Sequence, residues 1–202
     1  MSYAPTELQL DALREVANIG CGHAASALSQ LVGGRAVQIE VPRVLVTHVA
    51  QMTELIGGPD SKVVAATLLM EGDLQGTLLL VLPEADAHRL AGLLLNAPST
   101  DQLSDVQRSA IGEAANIVAS ACLSAISKLA GLKLLPTIPV LSEDSAGAVL
   151  DEALARVDTG GAGLVVVLEA RFATAAVPRV GGQFLVLPDK SSLKKLLEKL
   201  GV

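Results

Sequence analysis

The chain has 202 residues, half of them hydrophobic, and a formal net charge of −6. That is enough apolar material for a sizeable core, which must be aliphatic because there is no Trp, one Tyr and two Phe. An acidic chain with no basic run and few aromatics to stack on bases is a poor match for nucleic acid or an anionic membrane.

Cys21 and Cys122 form no CxxC or Cys/His cluster, which favours a reducing compartment and no structural zinc. The opening residues have neither a basic region nor an apolar signal core, so the expected location is the cytoplasm.

A helix is predicted near residues 6–32, with Thr6 as N-cap and Gly33-Gly34 as its stop. A strand follows near 36–47 and a short helix near 49–57, ending at Gly57-Gly58-Pro59-Asp60. Residues 62–71 and 76–82 are predicted as a hairpin around Asp73–Gly76, and 84–95 as a helix. In the second half a helix is predicted near 104–130, starting about Ser104 or Asp105. Strands are expected near 133–141, 163–174 and 182–187, and helices near 146–156 and 190–200. The stretch 114–135 is apolar, but Asn116, Ser120, Ser124, Ser127, Lys128 and Lys133 recur within it at a helical period. A buried amphipathic helix fits it better than a membrane span. Gly160–Gly163 is expected to be a loop. It is no phosphate loop, because it lacks a Gly-Lys-Ser/Thr ending and leads into a strand.

The chain contains a repeat. Residues 8–35 (LQLDALREVANIGCGHAASALSQLVGGR) align without gaps on residues 106–133 (VQRSAIGEAANIVASACLSAISKLAGLK), with eleven identities. Leu80-Val81-Leu82-Pro83 recurs as Leu185-Val186-Leu187-Pro188. Helices and strands interleave in the same order in both halves. The expected fold is therefore α/β (α+β), a pseudo-two-fold duplicated domain with long helices packed on a mostly antiparallel, roughly six-stranded sheet. No Pro/Gly/Ser-rich linker separates Leu95 from Ser104, so residues 1–202 are expected to form one domain of two repeats, about 6–100 and 104–202. Internal pseudo-symmetry makes a monomer natural.

Most identities between the copies are small or aliphatic, but Glu15/Glu113 and Asn18/Asn116 are not. Three residues apart, they project from one helix face. Asp11 and Ser109 lie one turn earlier on that face. Asn is a poor mid-helix residue, because its amide competes for the backbone. A solvated face is the default account of any single Glu-x-x-Asn. Against it stands the persistence of both residues while neighbours diverge: Arg14/Gly112, Gly20/Val118 and His23/Ala121. Cys21 pairs with Ala119 and Cys122 with Ala24, so both thiols are expected to fill core space. His23, His48 and His88 show no metal spacing. Gly20 and Gly22 each cost the first helix roughly 1 kcal/mol against Ala. They serve either close helix packing or room for a partner's backbone beside Asn18.

The pattern Asp11-x3-Glu15-x2-Asn18 followed by Pro42, and Ser109-x3-Glu113-x2-Asn116 followed by Pro139, resembles the CheC/CheX/FliY phosphatases of bacterial chemotaxis. Their signature is Asp or Ser, three residues, Glu, two residues, Asn, twenty-two residues, Pro. The second copy matches it fully, and the first has twenty-three residues before Pro42. Residues 15–24 (EVANIGCGHA) resemble the CheC branch, as do the two site copies without a further flagellar-switch domain. The resemblance implies hydrolysis of the aspartyl-phosphate of phosphorylated CheY. Asn18 and Asn116 would orient water, and Glu15 and Glu113 would anchor the partner, plausibly through its active-site Lys. Asp11, Ser109, Pro42 and Pro139 would support them. It also implies no cofactor of the chain's own, Mg²⁺ arriving on CheY, and the receptor deamidase CheD as a second partner. The alternative is a non-catalytic adaptor for CheY-phosphate or CheD.

Overall fold

The structure, a computed structural model, describes residues 6–31, 38–40, 44–48, 51–98, 100, 102–158, 164–174 and 177–202. The two repeat copies form its long helices, α1 (Glu7–Leu31) and α4 (Asp105–Ala130). Both open on the same capping box. Gln9 N donates to Thr6 Oγ1 at 3.3 Å and Thr6 N to Gln9 Oε1 at 2.9 Å. Gln107 and Ser104 repeat the exchange at 3.3 and 2.9 Å. The shared glutamine of the repeat is thus explained by satisfied helix-end donors. Helix α4 stops at Gly131, which adopts φ 66°.

On α1, Leu13, Val16, Gly20 and Ala24 are buried, while Asp11, Glu15, Asn18 and Gly22 are exposed. On α4, Ile111, Ala115, Val118 and Cys122 form the matching buried row. The helices pack against each other, and they come close where Gly20 meets Cys122: a Cβ on Gly20 would lie 2.9 Å from the Cys122 Cα. A Cβ on Gly22 would meet nothing within 4 Å. Close packing therefore accounts for Gly20, and Gly22 stands in open space. By length and composition α4 is apolar enough to cross a membrane, but more than half of its most apolar stretch is buried inside the protein.

The remaining elements are β1 (Gln38–Glu40), β2 (Val44–His48), α2 (Met52–Leu55), β3 (Lys62–Gly72), β4 (Gly76–Pro83), α3 (Glu84–Leu95), β5 (Leu134–Pro136), β6 (Val140–Ser145), α5 (Ala146–Leu154), β7 (Leu164–Thr174), β8 (Val177–Pro188) and α6 (Lys190–Leu200). All the described strands join one antiparallel sheet, in which the halves interleave. Strands β4 and β8 pair at the centre, from Gly76↔Pro188 to Val81↔Gln183. First-half β1 and β2 pair with second-half β7, and second-half β5 and β6 pair with first-half β3. Each half thus takes its outermost strands from the other.

Side chains alternate across this sheet. Leu78, Leu80 and Leu82 of β4 enter the core formed with α1, α3, α4 and α6. Leu79 and Val81 enter a second core with Met52 of α2 and Val149, Leu150 and Ala153 of α5. With both faces covered, Leu78–Leu82 of β4 is a continuous apolar run with no polar alternation.

The mixed helix and antiparallel-sheet architecture is the expected one, with two differences. The strand expected near 133–141 is split in two, and the described residues hold eight strand segments where roughly six strands were expected. In the second half the break is Thr137–Pro139, where proline has no N–H for the ladder. Strand β8 also starts earlier than expected and keeps Gly181 and Gly182 in its ladder. A Cβ on Gly182 would lie 2.6 Å from Leu82 Cδ2, so the glycine serves close packing. Gly33-Gly34, Pro42 and Gly160–Gly163 lie outside the described residues.

Asp73, at the β3–β4 turn, ties three elements together. Its Oδ2 accepts from Lys133 N at 2.8 Å, and its own N donates to Lys133 O at 2.9 Å. Lys195 Nζ of α6 donates to Asp73 O at 2.9 Å and lies 3.8 Å from Oδ1. The Lys133 backbone N–H, aided by the Lys195 charge, holds the Asp73 carboxyl below its ordinary value of 3.8.

Two predictions follow from these contacts. Gly20→Ala costs about 1–3 kcal/mol in urea unfolding, whereas Gly22→Ala is neutral or raises stability by up to about 1 kcal/mol. The opposite ranking would place the helix crossing elsewhere. Because the folded Asp73 carboxyl titrates below its unfolded value, its stabilisation is complete above 3.8. It disappears as pH falls through the lower, folded value. Urea midpoints of wild type and Asp73→Asn should therefore converge on acidification, and a constant difference would contradict the assignment.

Candidate active site

Ser109, Glu113 and Asn116 occupy successive turns of α4 and line an open cleft of about 500 Å³. Glu113 is exposed and Asn116 half-buried. The opposite wall is the strand break, Pro136–Leu141. Thr137 fixes that wall to β3: its N donates to Leu69 O at 2.9 Å, and its Oγ1 accepts from Leu69 N at 2.8 Å. The threonine side chain thus supplies the ladder acceptor where regular pairing fails. Ile138, held between Thr137 and Pro139, projects outward at 86% exposure.

Pro139 packs beside Gly112, the residue before Glu113. A Cβ on Gly112 would lie 3.2 Å from Leu141 Cδ1 and 3.6 Å from Pro139 Cγ. The proline therefore both breaks the strand and brings the cleft wall onto α4. At one end, Arg108 Nη2 meets Glu143 Oε1 at 2.9 Å, joining α4 to β6.

On α1, Asp11, Glu15 and Asn18 are all exposed. Asp11 Oδ1 holds Arg14 Nη1 at 2.6 Å. Arg14 stands where α4 has Gly112. Pro42, expected to support this copy, lies outside the described residues. The α4 copy brings Ser109, Glu113, Asn116 and Pro139 together around one cleft, and the α1 copy brings Asp11, Glu15 and Asn18 onto one face.

No hydrogen bond or ion pair joins Glu15, Asn18, Glu113 or Asn116 to another described residue. Each face thus offers a free carboxylate and a free carboxamide. A carboxylate takes a cation, and a carboxamide both accepts from and donates to water. Cys122 is buried and His23 is exposed. Among the described residues no three His, Cys, Asp or Glu side chains group as a metal site requires.

Sequence reasoning missed Gly112, Thr137, Arg108 and Glu143. The Arg14/Gly112 difference was a signal for the first: a glycine beside the retained Glu marks a close approach. No pattern announced that Thr137 replaces a ladder bond, or that Arg108 reaches a strand thirty-five positions away.

A duplicated helix face that presents Glu and Asn beside a proline-broken edge strand defines the class of protein. The model of the CheC-like family matches residues 8–46 and 106–143, the long helix and the strands after it in each half. Over 200 residues the chain is 35% identical to the CheY-P phosphatase CheC of Bacillus subtilis (strain 168), covering 96% of this chain and 95% of the relative. The chain belongs to the CheC-like family. Among solved structures, Thermotoga maritima FliY matches with a TM-score of 0.79 at 22% identity, over 98% of each chain. The FliM middle domain from H. pylori matches with a TM-score of 0.72 at 14% identity, over 96% of this chain and 99% of the other. At such identities these two structures speak for the fold alone.

Gly112→Leu should push Pro139 and Leu141 outward and cost about 1–3 kcal/mol. Urea unfolding measures it, and wild-type stability in the variant would mean that the cleft wall does not rest on this glycine.

Proposed function

We propose that the chain is a phosphatase for the aspartyl-phosphate of CheY, with Glu15/Asn18 and Glu113/Asn116 as its two sites. The observation that carries this is the α4 cleft, where an unpartnered Glu113 and Asn116 face a wall held in place by Thr137 and Pro139. The 35% identity to a CheY-P phosphatase supports the choice of substrate.

An acyl phosphate is already labile, so the enzyme needs chiefly to position water. Asn116, and Asn18 on the other face, accepts a hydrogen bond from one water through its amide oxygen. The water lone pair then points in line with the phosphorus. The water oxygen bonds to phosphorus, the phosphorus–carboxylate oxygen bond breaks, and the aspartate leaves as a carboxylate. The water's protons remain with the phosphate product. Glu113 and Glu15 hold a cationic side chain of the partner, so that the phosphoryl group meets the amide. Mg²⁺ bound to the partner would neutralise phosphoryl charge, and this chain supplies no ligand to it in the proposal. Ser109 and Asp11 flank these groups one turn earlier, and Pro139 shapes the opposite wall of the α4 cleft. In this proposal the protein works in the cytoplasm as a monomeric single domain, and also binds CheD.

The test is the decay of phosphorylated CheY. Wild type should accelerate it, and Asn18→Ala/Asn116→Ala should reduce the acceleration by about a hundredfold. Undiminished acceleration in the double variant would rule out the positioned-water mechanism. No acceleration by wild type, with CheD still captured, would make the protein an adaptor.

A further inference from the structure

The repeat does not copy every residue at its sites. Arg108 of α4 corresponds to Leu10 of α1. Arg108 is the only cation that lines the described α4 cleft, beside the free Glu113. Its guanidinium is 2.9 Å from Glu143, which β6 holds opposite Val64 of β3. Both side chains are about half-exposed, so their ion pair adds little to stability. What the pair does is hold a guanidinium at the mouth of the cleft. A contact through Nη2 alone leaves other N–H donors of the fork free.

Arg108 lies eight residues before Asn116, roughly 12 Å along the helix axis. Helical side chains lean toward the helix N-terminus, so Arg108 leads away from the amide. It is therefore poorly placed to reach a phosphorus atom that Asn116 serves. We propose that Arg108 is a specificity residue of the α4 site, which binds a carboxylate on the surface of the phosphorylated partner, outside the phosphoryl group. This rests on the proposed function. The charges define the complementary surface: Glu113 asks for a cation, and Arg108 asks for an anion one to two helical turns away. The α1 face has Leu10 at this place, so it makes no such demand. Its own arginine, Arg14, is held within the same helix by Asp11. The two sites thus differ in the partner surfaces they accept.

The experiment uses the full chain with Asn18→Ala, so that turnover reports on the α4 site. Within that background, Arg108→Ala should raise the KM for phosphorylated CheY about three- to tenfold with kcat unchanged. Arg108→Lys should recover part of the loss. KM should also lose part of its dependence on salt in Arg108→Ala, the Glu113 contact keeping the rest. Arg156→Ala removes the same charge from an exposed pair on α5 and should leave KM as it was. An unchanged KM in Arg108→Ala would overturn the proposal. So would a fall in kcat at constant KM, which would place the arginine on the phosphoryl group. Asn116→Ala in the same background tests the underlying reading separately. If it leaves turnover intact, the proposed function fails; if it abolishes turnover while Arg108→Ala has no effect, only the present inference fails.

Discussion

The approach of α1 to α4 at Gly20 and Cys122 is the contact on which the rest of the molecule depends. Two helices that approach this closely must meet through small residues, and Gly20, Ala24, Ala115 and Cys122 are among those buried there. Once the small faces are joined, the opposite face of each helix is left for polar residues. Glu15 and Asn18 on one helix, and Glu113 and Asn116 on the other, fall on those remaining faces. The interaction that assembles the core therefore also sets which side chains are presented.

The sheet contributes the second half of the site. Strands β5 and β6 belong to the second repeat but pair with β3 of the first. The cleft wall is thus carried by one repeat and braced by the other, through the Thr137–Leu69 exchange. A strand edge broken by proline would ordinarily leave backbone groups without partners. Here the threonine hydroxyl supplies an acceptor, and Pro139 rests beside Gly112. Rigidity of this kind suits a site whose proposed work is positioning, because loosely held groups lose much of their effect.

Much of this was legible in the chain, and the residues show why. Both long helices were announced, near residues 6–32 and 104–130. The repeat offset placed Glu15/Asn18 and Glu113/Asn116 on equivalent faces. Thr6 was recognisable as a cap, and the structure adds that Gln9 completes the box. The strand break was only partly legible: Pro136 and Pro139 within residues 133–141 signal an interruption, and the tertiary pairing to β3 shows that it falls at Thr137–Pro139. Long-range polar pairs were silent. Nothing near Arg108 in sequence identifies Glu143, because the fold brings α4 and β6 side by side. The same holds for Asp73, whose partners Lys133 and Lys195 lie in other elements.

The central claim is that the Glu–Asn faces receive the partner's phosphorylated site. The most direct measurement is backbone NMR of the protein titrated with CheY carrying a beryllofluoride mimic of its acyl phosphate. The account predicts perturbed amides around Ser109, Glu113, Asn116 and Thr137–Val140, with a matching set on the Asp11–Asn18 face. It also predicts weaker changes with CheY lacking the mimic. Perturbation confined to α5, α2 and the face of the sheet they cover, with those helix positions unmoved, would contradict it.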